Sequence, residues 1–224
     1  MFILLFILGT TVASFVILCA QRIPNGQLPW SPSRSYCDNC LCQLKFWQLI
    51  PIFGFIFQKG YCYFCKAKLS LLYPLLEIIS GFFCARLITV TQPINDTIIL
   101  LFIATLLFNV TTDYLYHYIY PVTLLGLLPL LLISPFHLRL GNILEAIIIA
   151  LFLSIFAYYK VLGWGDVEYL FIICLLCGWQ LTLIVINLAS WITIIAIIIA
   201  HSRKVAFIPP LALVTIIMVG LQIG

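Results

Sequence analysis

Residues 97–113 read TIILLFIATLLFNVTTD, and residues 167–200 read VEYLFIICLLCGWQLTLIVINLASWITIIAIIIA. In both stretches apolar residues follow one another without the alternation of a half-buried strand, and the charged residues fall at the ends. A bilayer core offers no water to unpaired backbone groups, so such runs span it as helices whose N–H and C=O groups are satisfied internally. The same pattern recurs along the chain. Of its 224 residues 64% are hydrophobic and 8% charged, whereas a soluble globular domain is about a quarter charged.

About 20 apolar residues cross the hydrocarbon core. The runs predict an all-α polytopic membrane protein with about eight transmembrane helices, near 1–20, 71–90, 97–113, 119–135, 141–160, 167–180, 182–200 and 206–222. The stretch 167–200 also reads as one long tilted helix. Residues 1–8 carry no basic segment and no A-x-A-like site follows, so 1–20 reads as a span rather than a signal peptide. The domain division expected is a first transmembrane helix at 1–20, a loop domain at 21–70 and a membrane domain at 71–224.

Six of the eleven Lys and Arg residues, Arg22, Arg34, Lys45, Lys59, Lys66 and Lys68, lie in the loop 21–70. The positive-inside rule puts that loop in the cytoplasm. Eight spans then place both termini outside and bring Lys160, Arg203 and Lys204 to the inner side, leaving only Arg86 and Arg139 outside. Lipid is the expected surrounding, and no nucleic-acid partner is expected.

Ionisable residues within spans are costly and mark functional sites by default. Asp38 in the loop and Asp96 in an outer turn are explained by solvation, and Glu145 by the dipole at the start of the fifth span. Glu77, Asp113, Asp166 and Glu168 remain. Asp113 ends the third span and Asp166 begins the sixth, so the topology brings both to the cytoplasmic membrane surface. Two carboxylates held together in a low-dielectric site share a proton, leaving one as base and the other as acid. Asp166 closes the sequence Gly163-Trp164-Gly165-Asp166, whose glycines permit a sharp turn and leave room for an extended peptide. The alternative is an Asp that caps the helix.

The loop holds Cys37-x-x-Cys40 and, 21 residues on, Cys62-x-x-Cys65. Two such knuckles complete a tetrahedral four-thiolate zinc site of the closed, structural kind. A reducing compartment favours metal over disulfides. Cys42 is an alternative ligand to Cys40. Cys174 and Cys177 lie within a span and read as packing residues.

These residues resemble the type IV prepilin peptidases, GxGD-type aspartic peptidases, particularly those serving competence pseudopili. The resemblance runs through Ala13-Ser14-Phe15, Arg22-Ile23-Pro24, Arg34-Ser35, the two Cys knuckles, Leu49-Ile50-Pro51, Gln58-Lys59-Gly60, Ser70, Tyr73-Pro74 and Glu77. It continues with Thr112-Asp113, Pro121, Gly163 to Asp166 and Phe207-Ile208-Pro209. It departs where proline comes eight rather than seven residues after Asp113, where Glu168 replaces a lysine, and where Ala13 and Ile17 replace Gly and Asn. The resemblance implies catalysis by Asp113 and Asp166, with Gly163, Gly165, Glu77 and Glu168 in support. It also implies cleavage of prepilin-like or pseudopilin leaders at the cytoplasmic face, and N-methylation of the new N-terminus from S-adenosylmethionine. The competing class is a non-catalytic transporter or pilus assembly factor. Against transport, the acids gather on one side of the membrane and broken helices in matching halves are absent.

Overall fold

The computed structural model describes residues 1–32, 34–37, 39–133, 139–200 and 206–223. Asp38, Arg203 and Lys204, used in the sequence reading above, lie outside them, as does the end of the expected span 119–135. Among the described residues the chain forms α1 (Phe2–Arg22), α2 (Phe53–Phe57), α3 (Leu72–Leu87), α4 (Pro93–Tyr116), α5 (Pro121–Leu124), α6 (Leu140–Tyr158), α7 (Trp164–Ala200) and α8 (Ile208–Ile223). Among the described residues, extended pairing is confined to two isolated bridges. Four helices are long and apolar enough to cross a membrane: Phe2–Asn25, Pro93–Tyr116, Leu140–Tyr158 and Trp164–Ile199. The chain is an all-α, multi-pass membrane protein, in two compact units, Met1–Ile88 and Thr89–Gly224.

In the first unit α1 packs on α3 through small residues. A Cβ on Gly9 would come within 2.8 Å of Gly81 and Cys84, and one on Gly81 within 2.8 Å of Thr10. Where lipid is as apolar as leucine, close backbone approach of this kind drives helix association. The Ser80 hydroxyl donates to the Gly9 carbonyl at 2.9 Å across the interface, a bond worth about 0.6 kcal/mol in a membrane. Arg22 ends α1 and turns inward, donating to the carbonyls of Pro29 and Pro32 at 2.5 and 3.0 Å. It thereby folds the start of the loop onto the helix end.

In the second unit α4 is the most enclosed helix, burying Ile98, Ile99, Phe102, Ile103, Leu106 and Val110 at three- and four-residue spacing. Its buried hydroxyls bond back to their own helix: Thr105 to Leu101 O and Thr111 to Leu107 O, each at 2.8 Å. By contrast α6 fully buries only Ala146 and Ala157, and leaves Leu144, Ile148, Leu151, Phe152 and Ile155 exposed.

One segment differs from the sequence reading. Where a single membrane helix is expected at 119–135, the described residues form α5 and a 3-10 stretch, Leu125–Leu132, with Pro129 inside it. Proline removes a helical donor there, and Gly126 lies so close to Thr105 that a side chain would strike its hydroxyl. The stretch 167–200 lies in α7 as two helix segments that meet at a kink, close to the expected division into 167–180 and 182–200. The helical path breaks at one residue, Gly178, with φ 78° and ψ 171°, a conformation essentially reserved for glycine. The new start leaves the Trp179 N–H without an intrahelical acceptor, and Glu145 Oε2 accepts it at 3.2 Å. Glu145 therefore serves the start of another helix segment rather than only its own.

Candidate active site

α4 ends at Tyr116, three residues after Asp113. His117 takes a left-handed conformation, φ 50°, and its N–H returns to the Asp113 carbonyl at 2.9 Å, one of the standard helix endings. Asp113 is thus held in the last full turn, and its side chain is 8% exposed. The Ile208 N–H donates to Asp113 Oδ2 at 3.0 Å. Ile208 begins α8, and the next two residues, Pro209 and Pro210, carry no N–H. The first turn of α8 therefore aims its first helical N–H at Asp113, placing an anion at the positive end of a helix dipole.

Asp166 stands at the third position of α7. Its Oδ2 accepts the Gly163 N–H at 3.2 Å, the side-chain half of a capping box. The capping reading of Asp166 is therefore realised from inside the helix, and the same bond fixes the carboxylate's direction. Gly165 lies against the loop that leaves α4: a Cβ there would come within 2.6 Å of Ile119 Cδ1 and 2.9 Å of its Cβ. That close approach brings the start of α7 to the end of α4, and the Asp113 and Asp166 carboxylates interact electrostatically.

Glu168, two residues after Asp166, has a buried Oε2 with no hydrogen-bond partner among the described residues. Glu77 belongs to the first unit, where its Oε2 accepts the Ile52 N–H at 2.7 Å.

The loop of the first unit brings Cys37, Cys40, Cys62 and Cys65 together, one sulfur from each lying within 4.8 Å of every other. Cys37 and Cys65 Sγ are 3.8 Å apart, and four sulfurs about 2.3 Å from a tetrahedral ion lie about 3.8 Å from one another. The donor set fits a metal ion. The two knuckles repeat one another position for position. Leu41 N–H bonds Cys37 O as Lys66 N–H bonds Cys62 O, Cys37 N–H bonds Cys42 O as Cys62 N–H bonds Ala67 O, and Leu44 N–H bonds Ser35 O as Leu69 N–H bonds Gly60 O. Leu41 and Lys66 both have positive φ. Tyr36, Cys37, Cys40 and Leu44 correspond to Tyr61, Cys62, Cys65 and Leu69, and the residues between them differ, so the repeat is too short and sparse to stand out in the sequence. Asn39 Nδ2, 3.5 Å from Cys65 Sγ, holds that thiol down to about 6. Cys42, left open above as a ligand, is exposed and is not among the four whose sulfurs converge.

Comparison with known proteins now bears on these features. Residues 7–91, which contain all four ligand candidates and Glu77, match the Bacterial Peptidase A24 N-terminal domain. Residues 100–199, which contain Asp113 and Asp166, match the Type IV leader peptidase family. A prepilin leader peptidase/N-methyltransferase of Bacillus subtilis is 32% identical over 182 residues, covering 78% of this chain and 73% of the relative. The chain belongs to the type IV leader peptidase family. Proteins of the same description from Myxococcus xanthus and Neisseria gonorrhoeae are each 29% identical, over 54% and 34% of this chain and 36% and 34% of their own lengths. No solved structure matches the chain. With its long apolar helices, this leader peptidase family member is a multi-pass bacterial membrane protein.

The family match ends at residue 199, before α8. Ile208 is there: the resemblance includes Phe207-Ile208-Pro209 without assigning it a role, and that role lies in a backbone N–H, which no side-chain pattern announces. The proline pair after it was the available signal, since it marks a helix start. Ile119 was also missed, because an aliphatic residue that fits against a glycine looks like any other.

Proposed function

We propose that Asp113 and Asp166 form the catalytic pair of a prepilin leader peptidase, which cuts the leaders of type IV prepilin-like or pseudopilin proteins at the cytoplasmic membrane face. The observation that carries this reading is a pair of interacting carboxylates, each oriented by a backbone N–H, Asp113 by Ile208 and Asp166 by Gly163. The names of the relatives supply the substrate class.

In the proposed reaction one carboxyl of the pair is ionised and the other protonated, and they titrate as a unit. The ionised member takes a proton from water while the water oxygen attacks the scissile carbonyl carbon. The protonated member donates a hydrogen bond to the carbonyl oxygen and stabilises the charge that develops on it. When the tetrahedral intermediate collapses, the C–N bond breaks and the amine leaves with a proton. Gly165 lets the start of α7 approach Ile119 closely, and Gly163 supplies the N–H that orients Asp166.

We assign zinc to Cys37, Cys40, Cys62 and Cys65 as a structural ion. Bound there, it shapes the loop, because a closed four-thiolate site leaves no open position for chemistry. The expected domains follow: a first helix at 1–20, a zinc-loop domain at 21–70 and a membrane peptidase domain at 71–224. The relatives' names pair cleavage with N-methylation, and the chain is assigned that second activity with S-adenosylmethionine as donor. At Ala13 and Ile17, 0% and 5% exposed, the side chains are apolar and offer a methyl donor no polar atom. No step of methyl transfer is assigned to them.

The test is single-turnover cleavage of a prepilin-like substrate by purified protein in detergent, read by mass spectrometry. Wild-type protein should cut once, at the leader junction, while Asp113→Asn and Asp166→Asn should not. Substantial cleavage by either folded variant would remove the assignment.

A further inference from the structure

From Phe46 to Gln58 the loop carries no charge, and Lys45 and Lys59 flank this stretch. An apolar run of this length is too short to span a bilayer and suits an interfacial or re-entrant segment. At its centre α2 turns Gly54 and Phe55 inward, Gly54 against Gln48 and Phe55 against Gly60. It turns Phe53, Ile56 and Phe57 outward, each more than half exposed, with Ile50 beside them at 48%.

The depth of this element follows from its tether. Ile52 donates its N–H to Glu77 Oε2 at 2.7 Å, and Glu77 stands in the second turn of α3, the helix whose Ser80 hydroxyl bonds the Gly9 carbonyl of α1. At 1.5 Å per residue Glu77 lies about 7.5 Å along α3 from Leu72, the helix's cytoplasmic end. A loop backbone that reaches a carboxylate bonded at that level lies below the end of the span. The local geometry accommodates this reach. Ile52 has φ 64° and ψ −55°, rare for a β-branched residue, and Phe53 N–H bonds Pro51 O at 2.6 Å. The result is a γ-turn of the strained hand, which points the Ile52 N–H outward to Glu77.

Backbone entering a membrane must have its donors satisfied within the protein. Here Gly54 N–H bonds Ile50 O, Ile56 N–H bonds Ile52 O and Gln58 N–H bonds Gly54 O, at 2.7, 3.1 and 3.3 Å. Together with Ile52 and Phe53 these bonds leave an element whose outward face offers lipid mainly hydrocarbon.

We propose that Pro51–Phe57 is a membrane-entering element of the loop, with Ile50, Phe53, Ile56 and Phe57 inserted among the acyl chains at the cytoplasmic leaflet and Lys45 and Lys59 at the headgroups. The occupant of this face is the bilayer that α1 already crosses, so the lipid-facing surface of the helix continues onto the loop. The inserted segment holds the metal-binding knuckles against the membrane from one side, while α1 and α3 hold them by their chain connections.

The experiment uses the unsubstituted full chain in nanodiscs of phosphatidylethanolamine and phosphatidylglycerol doped with a phospholipid carrying a diazirine on its acyl chain. After photolysis, peptide mapping by mass spectrometry should find the label on 50–57 at a yield comparable to α6 and at least ten-fold above 60–68. Label on α6 but none on 50–57 above the level of 60–68 would overturn the proposal. In a second arm p-benzoylphenylalanine replaces Phe57, and the mass of its adduct is read. A phospholipid adduct supports insertion, whereas a cross-link to a second copy of the chain, or no adduct, counts against it.

Discussion

Ile208 donates its backbone N–H to Asp113 across 95 residues of chain at 3.0 Å, so the first turn of α8 is part of the geometry around the carboxylate. Asp113→Asn keeps an acceptor oxygen for that bond and should leave the protein folded, whereas Asp113→Leu strands a buried donor, at a cost of about 1–3 kcal/mol. Thermal unfolding in detergent separates the two, since both should be inactive and only the leucine variant should melt earlier.

Cleavage by Asp113→Asn, by Asp166→Asn and by the double variant should be lost to the same extent, because residues acting as one unit give non-additive losses. Additive losses in single-turnover rates would mean two independent roles. Glu77→Gln and Glu168→Gln, outside the pair, should lower the rate only partially.

Gly165→Ala sets a methyl group within 2.9 Å of Ile119 Cβ, which is branched next to the backbone and cannot swing away. We expect a drop in kcat of ten-fold or more at nearly unchanged zinc content. Adding Ile119→Ala should restore part of the rate; a double variant as slow as the single one would show that the contact is not what matters.

Purified protein should carry about one zinc per chain, and Cys37→Ser with Cys62→Ser should abolish it, since each knuckle loses a ligand. Cys42→Ser should leave the content unchanged. Elemental analysis decides, and stoichiometric zinc in the Cys37/Cys62 variant would rule the site out.

Gly178→Ala forces a side chain into a backbone conformation open to glycine, costing roughly 1–3 kcal/mol. Glu145→Ala removes the acceptor for Trp179 N–H and, by analogy with a lost cap, should cost about 1 kcal/mol. Both should lower the unfolding temperature, and combining them should be less than additive, because they disturb the same bend.

By itself the sequence determined that this protein is a bundle of membrane helices, because long uninterrupted apolar runs with backbone groups to satisfy have only that solution. It also determined the four-cysteine cluster, since each C-x-x-C pair is local and its thiolates converge whatever the rest of the chain does. Asp113 and Asp166 were legible as intramembrane charges. The tertiary structure decided what holds them: backbone N–H groups of Ile208 and Gly163, and the fit of Gly165 against Ile119. A backbone donor has no residue identity and a close contact has no spacing rule, so neither leaves a pattern to read. The bend at Gly178 is of the same kind. Apolar residues continue unchanged on both sides of it, and one glycine with a partner in another helix, Glu145, turns a single hydrophobic run into two helix segments.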